Sequence, residues 1–195
     1  DEQVLERLFR FKAFDVMSAS TVRMCDKLAL HGIKADFIPD SIDRDIFKPT
    51  TAWADRDFQV LFVASKIHLE HKGYKIWQET KEILKSRTDI KFKEIVVDSF
   101  SHKDNTAIML EAYNQSKVYT CLSASEGGPH PLLEAAICGC NIISTNVGLA
   151  DYFKSAFVIP RDAKTCAEKL LYLADNPEVA RELAAATLEE GNRFD

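Results

Sequence analysis

The residue types most able to do chemistry are concentrated in one segment, Ser123 to Ala136, which reads SASEGGPHPLLEAA. Its two carboxylates, Glu126 and Glu134, have seven residues between them. Gly127 and Gly128 let the backbone approach a ligand with no Cβ in the way, and Pro131 suits the first position of a helix. Such a helix points N–H groups and about half a positive charge back at the loop, which favours a phosphate. Carboxylates beside a phosphate repel it, so both would turn toward hydroxyls, two of which one carboxylate can accept. A nucleotide sugar carries hydroxyls on both sides of its diphosphate, on the ribose and on the sugar, and offers one partner to each carboxylate. The plainer alternatives are an ordinary Gly-Gly-Pro turn, with a glutamate placed where a helix start favours it. Paired carboxylates also serve glycoside hydrolysis, a reaction with no need of an anion-binding helix end.

A second segment, Phe62 to Gly73, carries Lys66 and Lys72, six residues apart in a loop between a strand and a helix. Two mobile cations could neutralise a leaving diphosphate. No carboxylate cluster reads as metal-binding, and no metal site is expected. Charge developing on a leaving group must then be met by cations and dipoles. Taken alone, the pair is two surface lysines among 25 basic residues. His68, His71 and His102 read as loop or surface residues, and His130, between two prolines, as a residue lining the donor site. No histidine has the spacing of an H-E-x-x-H helix.

The rest of the composition narrows the classes. A formal charge of −5 gives no general electrostatic reason to expect nucleic acid or an anionic membrane as partner. No apolar run approaches the roughly 20 residues of a membrane span, and no signal peptide is visible. The five cysteines form neither a disulfide framework nor a zinc pattern. They read as reduced and structural, which fits the cytoplasm.

The elements that must hold these segments follow from apolar periodicity. Strands are expected at Val16–Ala19, Val60–Ala64, Glu94–Val97, Val118–Leu122, Asn141–Ser144 and Phe157–Ile159. Helices are expected at Thr21–Leu30, Tyr74–Ser86, Asn105–Ser116, Pro131–Cys138, Ala163–Ala174 and Pro177–Glu190. Residues 2–14 have the pattern of a basic amphipathic helix, suited to a neighbouring domain or to a membrane surface. Ile38 to Pro49 is turn-rich, with two prolines and polar clusters, and marks a domain boundary. Beyond it, short doubly apolar strands alternate with helices, the pattern of an α/β doubly wound parallel sheet. Ligands of such sheets bind beyond the carboxyl ends of the strands.

The segment Ser-x-x-Glu-Gly-Gly-Pro-x-x-Leu-Leu-Glu-Ala, with Gly139 to Gly148 behind it, resembles the E-x7-E signature and following strand of family 4 (group 1) retaining glycosyltransferases of the GT-B fold. Lys72-Gly73 is similar to that family's Lys-Gly, while Lys66 stands where the family has Arg and Ser65 where it has Gly. IPDSID through Phe47-Lys48-Pro49 resembles the family's interdomain hinge, and Val16 to Ser20 the end of the preceding acceptor domain. The resemblance implies three parts: residues 1–37 as a remnant of the acceptor domain, 38–57 as a connector, and 58–195 as a Rossmann-like nucleotide-sugar-binding domain. It implies Glu126 at the donor sugar, Glu134 at the ribose, Lys66 and Lys72 at the diphosphate, and Gly127, Gly128, Pro129, His130 and Leu132 along the donor.

The activity implied is transfer of a hexose from a nucleotide-diphosphate sugar to a hydroxyl of a glycan, lipid or protein. The anomeric configuration is retained and neither metal nor cofactor is used. The setting implied is polysaccharide or glycolipid biosynthesis in the cytoplasm, with peripheral contact to the inner face of a membrane open to it. Departures from the pattern are Asp151 in place of Glu and one strand instead of two between Ser86 and Asn105, a stretch that helps the family recognise the base. A catalytically silent nucleotide-sugar-binding module, or an epimerase or phosphorylase of the same fold, would share these features.

Overall fold

The computed structural model describes residues 14–98 and 104–194. The helix expected over 2–14 and His102 fall outside the described residues, Phe14 excepted. The chain divides into two compact units, Asp1–Ser41 and Ile42–Asp195.

In the first unit, β1 (Ser18–Ala19) pairs in parallel with β2 (Asp36–Phe37), and α1 (Val22–Ala29) lies between them in sequence. Thr21 caps α1 by accepting from the Met24 amide at 3.1 Å, as a hydroxyl at an N-cap should. Gly32 adopts a φ of 70° just beyond the helix. A small core of Ala19, Leu28 and Ile33 holds the unit together. β2 was not foreseen: its two residues are both exposed and leave no periodicity to read.

The second unit carries five parallel strands: β3 (Gln59–Ser65), β4 (Lys91–Val97), β5 (Val118–Cys121), β6 (Asn141–Thr145) and β7 (Phe157–Ile159). Its helices are α2 (Tyr74–Ile83), α3 (Asp104–Gln115), α4 (His130–Ile137), α5 (Ala163–Asp175) and α6 (Pro177–Gly191). The strand order is β4-β3-β5-β6-β7. From β3 the chain winds to one side, into β4, and then returns to the other, into β5, so the gap between β3 and β5 is the switch point of a doubly wound sheet.

Alternation along β3 divides the core between the two faces. Leu61 and Val63 meet Met109, Ala112 and Tyr113 of α3 and Leu132, Leu133 and Ile137 of α4. Val60, Phe62 and Ala64 meet Ile76 and Trp77 of α2 and Cys166, Ala167 and Leu170 of α5. The Trp77 indole stacks on Phe62 with ring centroids 5.2 Å apart and takes Phe92 edge-on at 5.4 Å.

β4 departs from the doubly apolar expectation. It is an edge strand whose residues are exposed or half-exposed throughout, with Val96 open to solvent, because only the inner strands of a parallel sheet are covered on both faces. Its Glu94 carboxylate instead gathers Tyr74 Oη, Trp77 Nε1, Gln78 Nε2 and Lys81 Nζ from α2 at 2.9–3.3 Å. Burial pushes that carboxyl up, but the donors from Trp77, Lys81 and Tyr74 outweigh it and hold it below the ordinary glutamate value.

Arg56, within the stretch read as a connector, is buried. Its guanidinium donates to the carbonyls of Tyr113 and Ser116 at the end of α3, of Cys138 at the end of α4, and of Thr51, at 2.9–3.3 Å. Helix C-termini present unsatisfied carbonyls and partial negative charge, so one planar cation serves two helix ends at once. Ile42 and Phe47 are likewise buried in the core of this unit. Cys121, Cys138, Cys140 and Cys166 are buried and unpaired, and burial pushes the thiols of the last three up to about 12. Among the described residues no helix is long and apolar enough to cross a membrane.

Candidate functional site

The loops leaving β3 and β5 flank the switch point, and they carry Lys66 to Gly73 and Leu122 to Pro129 respectively. Backbone contact forces them together. Gly73, the N-cap of α2, has a φ of 81°, and a Cβ there would sit 2.2 Å from the Leu122 carbonyl oxygen. Only glycine meets both demands. The His71 carbonyl accepts from the Ala124 amide at 2.8 Å, and His71 Nε2 lies 2.7 Å from the Ser125 carbonyl. Arg161, just after β7, donates Nε to the Leu122 carbonyl at 3.2 Å and Nη2 to the Glu70 carbonyl at 2.7 Å.

This stitching brings Lys72 onto Glu126. Lys72 Nζ and Ser123 Oγ both donate to Glu126 Oε1, at 2.5 and 2.6 Å. The pair is partly buried, with 21% of the lysine and 15% of the glutamate side chain exposed, so it is less screened than a surface ion pair. The donor Ser123 is itself held, its carbonyl accepting from Thr145 Oγ1 of β6 at 2.7 Å. Lys72, Ser123, Glu126, Pro129 and Pro131 line a small cavity of about 10 Å³ at the carboxyl ends of β3 and β5.

Lys66 is engaged elsewhere. Its ammonium lies 3.2 Å from Asp98 Oδ1 in an exposed pair beyond the ends of β3 and β4. The two lysines expected to share one diphosphate are therefore tied to different carboxylates.

Helix α4 begins at His130, one residue before the expected start, with Pro131 inside the first turn and Pro129 as N-cap. Proline is tolerated there because the first-turn N–H groups have no intrahelical partner. The N-cap residue, Pro129, makes no side-chain capping hydrogen bond. Gly127 is exposed and has open space where a Cβ would project, which leaves the approach to the loop clear. Behind it, Gly148, at a φ of 54°, brings the loop after β6 so close that a Cβ would meet Pro129 Cδ at 2.3 Å.

Glu134 lies one turn into α4, on the face that also carries His130. Tyr113 of α3, wholly buried, donates its hydroxyl to Glu134 Oε2 at 2.7 Å. Burial raises the Glu134 carboxyl, and the Tyr113 hydroxyl and His130 only partly offset this.

Leu132, expected to contact the donor, has a fully buried side chain packed in the core. One residue around the helix from Pro131, it points at the sheet and supports α4 rather than facing the cleft. His130 and Gly127 are exposed at the loop, Gly128 is half-buried, and Pro129 is buried beneath it. The sequence singles out neither Tyr113 nor Arg161, gives His71 only as a loop or surface residue, and gives Ser123 only as the first residue of the signature. Ser123 stands three residues before Glu126 and could have been read from that spacing, whereas Tyr113 lies within an apolar helix face and gives no sign of its partner.

Other features offer less chemistry. Among the described residues no group of three or more His, Cys, Asp or Glu gathers as a metal site would require. A second, apolar groove lined by Trp53, Ala184, Ala185 and Leu188 has Arg56 and Arg181 beside it. Arg56 is taken up by carbonyls, and Arg181 by Glu178 at 2.7 Å.

The fold is that of one half of a GT-B glycosyltransferase, as solved structures show. TarM of S. aureus superposes on the whole of this chain with a TM-score of 0.78 at 14% identity, the chain covering 44% of that protein. The pneumococcal O-GlcNAc transferase GtfA, solved in complex with UDP and GlcNAc, matches 97% of this chain with a TM-score of 0.71 at 18% identity, over 44% of its own length. The C-terminal domain of the Francisella tularensis group 1 glycosyltransferase LpcC matches 78% of this chain and 97% of its own, with a TM-score of 0.62 at 17% identity. This chain thus spans less than half the length of TarM and GtfA. No curated protein matches it by sequence. The family model described as "Glycosyl transferases group 1" matches residues 78–190, and the chain belongs to that family. Glu126 and Glu134 lie inside the matched region; Lys66 and Lys72 precede it.

Proposed function

We propose that the chain is the donor-binding half of a retaining, metal-independent glycosyltransferase of the family 4 kind, which moves a hexose from a nucleoside-diphosphate sugar to a hydroxyl of a glycan, lipid or protein. The observation that carries this reading is the meeting of Lys72 with Glu126 beside the switch point, at the start of a helix that carries Glu134 one turn further on. Glu126 accepts from Lys72 and Ser123 on Oε1 alone, which favours Oε2 as the acceptor for donor-sugar hydroxyls. Lys72 and the α4 helix end supply positive charge for the diphosphate. Lys66 joins them on exchanging its exposed partner Asp98 for phosphate. Glu134 takes the ribose.

In the reaction the bond between the anomeric carbon and the diphosphate oxygen breaks. A bond to the acceptor oxygen forms on the same face of the sugar, and the acceptor proton passes to the departing diphosphate. The acceptor is held by the other domain of the whole protein. No cofactor takes part, and the setting is the cytoplasm, at or near the inner face of a membrane. UDP is the first nucleotide to test, because GtfA was solved with UDP and Anabaena HepE with UDP-glucose. The reading is tested in the whole protein by the anomeric coupling of the product in proton NMR, with and without a chelator. An α-linked product from an α-linked donor, formed equally fast in the chelator, supports it. An inverted product, or activity lost with the metal, contradicts it.

A further inference from the structure

Glu134 is held by one oxygen. Its Oε2 accepts the Tyr113 hydroxyl at 2.7 Å, and among the described residues Oε1 accepts no hydrogen bond. Tyr113 is an unusual donor, because its ring is fully buried and packs edge-on against Phe47 and Tyr119, with centroids 6.3 and 6.1 Å away. Those contacts ask only for an aromatic ring. A phenolic hydroxyl in such a place costs free energy unless it is hydrogen-bonded, and the hydroxyl has the Glu134 carboxylate as its partner. A glutamate free to rotate would have to be ordered when a ligand arrives, whereas Glu134 already has one oxygen fixed.

We propose that Tyr113 is a positioning residue for ribose recognition, its hydroxyl fixing Oε2 of Glu134 so that Oε1 is presented to the ribose hydroxyls of a bound nucleoside diphosphate. This rests on the reading of Glu134 as the ribose-binding carboxylate. Tyr113 does not touch the ligand. It acts by holding the group that does, from a neighbouring helix and from within the core.

The test is calorimetric titration of the full chain, as wild type, Y113F and E134Q, with the diphosphates of uridine, guanosine and adenosine and with their 2′,3′-dideoxy forms. Y113F keeps the ring and its packing, and E134Q keeps an acceptor for Tyr113, so thermal melts should find both folded. The proposal expects Y113F to weaken the natural diphosphate about fivefold and to leave the dideoxy form within about twofold, with E134Q weakening the natural form at least as much. Equal weakening of both forms by Y113F would mean a purely structural role and overturn the proposal. So would unchanged affinity in Y113F while E134Q is weakened, with the ribose reading intact. An E134Q chain that binds as wild type does, or a wild-type chain that binds none of the diphosphates, sinks the ribose reading and this inference with it.

Discussion

Glu126 and Glu134 belong to one short segment, yet the structure sets them in different surroundings. Glu126 sits against a cation and a hydroxyl, whereas Glu134 meets a buried tyrosine hydroxyl and its carboxyl is raised, burial outweighing Tyr113 and His130. A raised carboxyl takes up its proton at a higher pH than an ordinary glutamate, so the ribose-dependent part of nucleotide affinity should begin to fall early as pH is lowered. Stability runs the opposite way. The native state holds this proton more tightly than the unfolded chain, so the contribution is complete below the unfolded pKa and is lost as pH rises through the folded one. Affinity for a ribonucleoside diphosphate, minus that for its dideoxy form, followed from neutral pH downward, checks this; an acid midpoint no higher than that of an exposed glutamate would contradict it. The spacing of the two glutamates was legible because it lies within one run of sequence. The hydroxyls that orient them were less so, since Tyr113 reaches Glu134 across two helices. The Leu132 side chain lies in the core for a related reason: a side chain inside a signature faces outward only if the helix turns it that way.

Single glycines decide how closely the elements approach. Gly73 joins the Lys72 loop to α2 while the end of β5 presses against it, and Gly148 lets the loop after β6 seat on Pro129. Gly73→Ala should destabilise the fold by about 2 kcal/mol or more, combining left-handed strain with a clash against backbone, and should part Lys72 from Glu126. A shift in the urea midpoint together with weaker binding of nucleoside diphosphates would bear this out; a variant with wild-type stability would show that the two loops do not meet as described. The strands and helices of the second unit were readable within a few residues because apolar alternation and helical periodicity are local signals. The openness of β4 was not, because whether a strand lies at the edge depends on the order of strands in space rather than along the chain. The start of α4 moved to His130 because a proline in the first turn costs the helix no hydrogen bond.

At the scale of the whole molecule, Arg56 fastens the far ends of α3 and α4, the same two helices whose Tyr113 and Glu134 meet in the candidate site. Arg56→Ala leaves several buried carbonyls without a donor and should cost about 3 kcal/mol or more, read as a fall in the denaturant midpoint with unchanged slope. A change below about 0.5 kcal/mol would mean that water or a shift of the helices replaces it. Composition and turn signals place Arg56 in a connector, and nothing local says that its charge would be buried; the carbonyls it satisfies come together only when the sheet is assembled. The doubly wound sheet, by contrast, was written in the alternation of elements.

The account stands or falls on whether the switch point between β3 and β5 binds a nucleotide sugar through the residues named. Calorimetric titration of the chain with UDP-glucose, UDP-N-acetylglucosamine and GDP-mannose, beside its Glu134→Ala and Lys72→Ala variants, asks this directly. The account predicts one-site binding of one of these donors, weakened by about 1–3 kcal/mol in each variant. Binding that both folded variants retain undiminished, or a folded wild-type chain that binds none of the three, would contradict it.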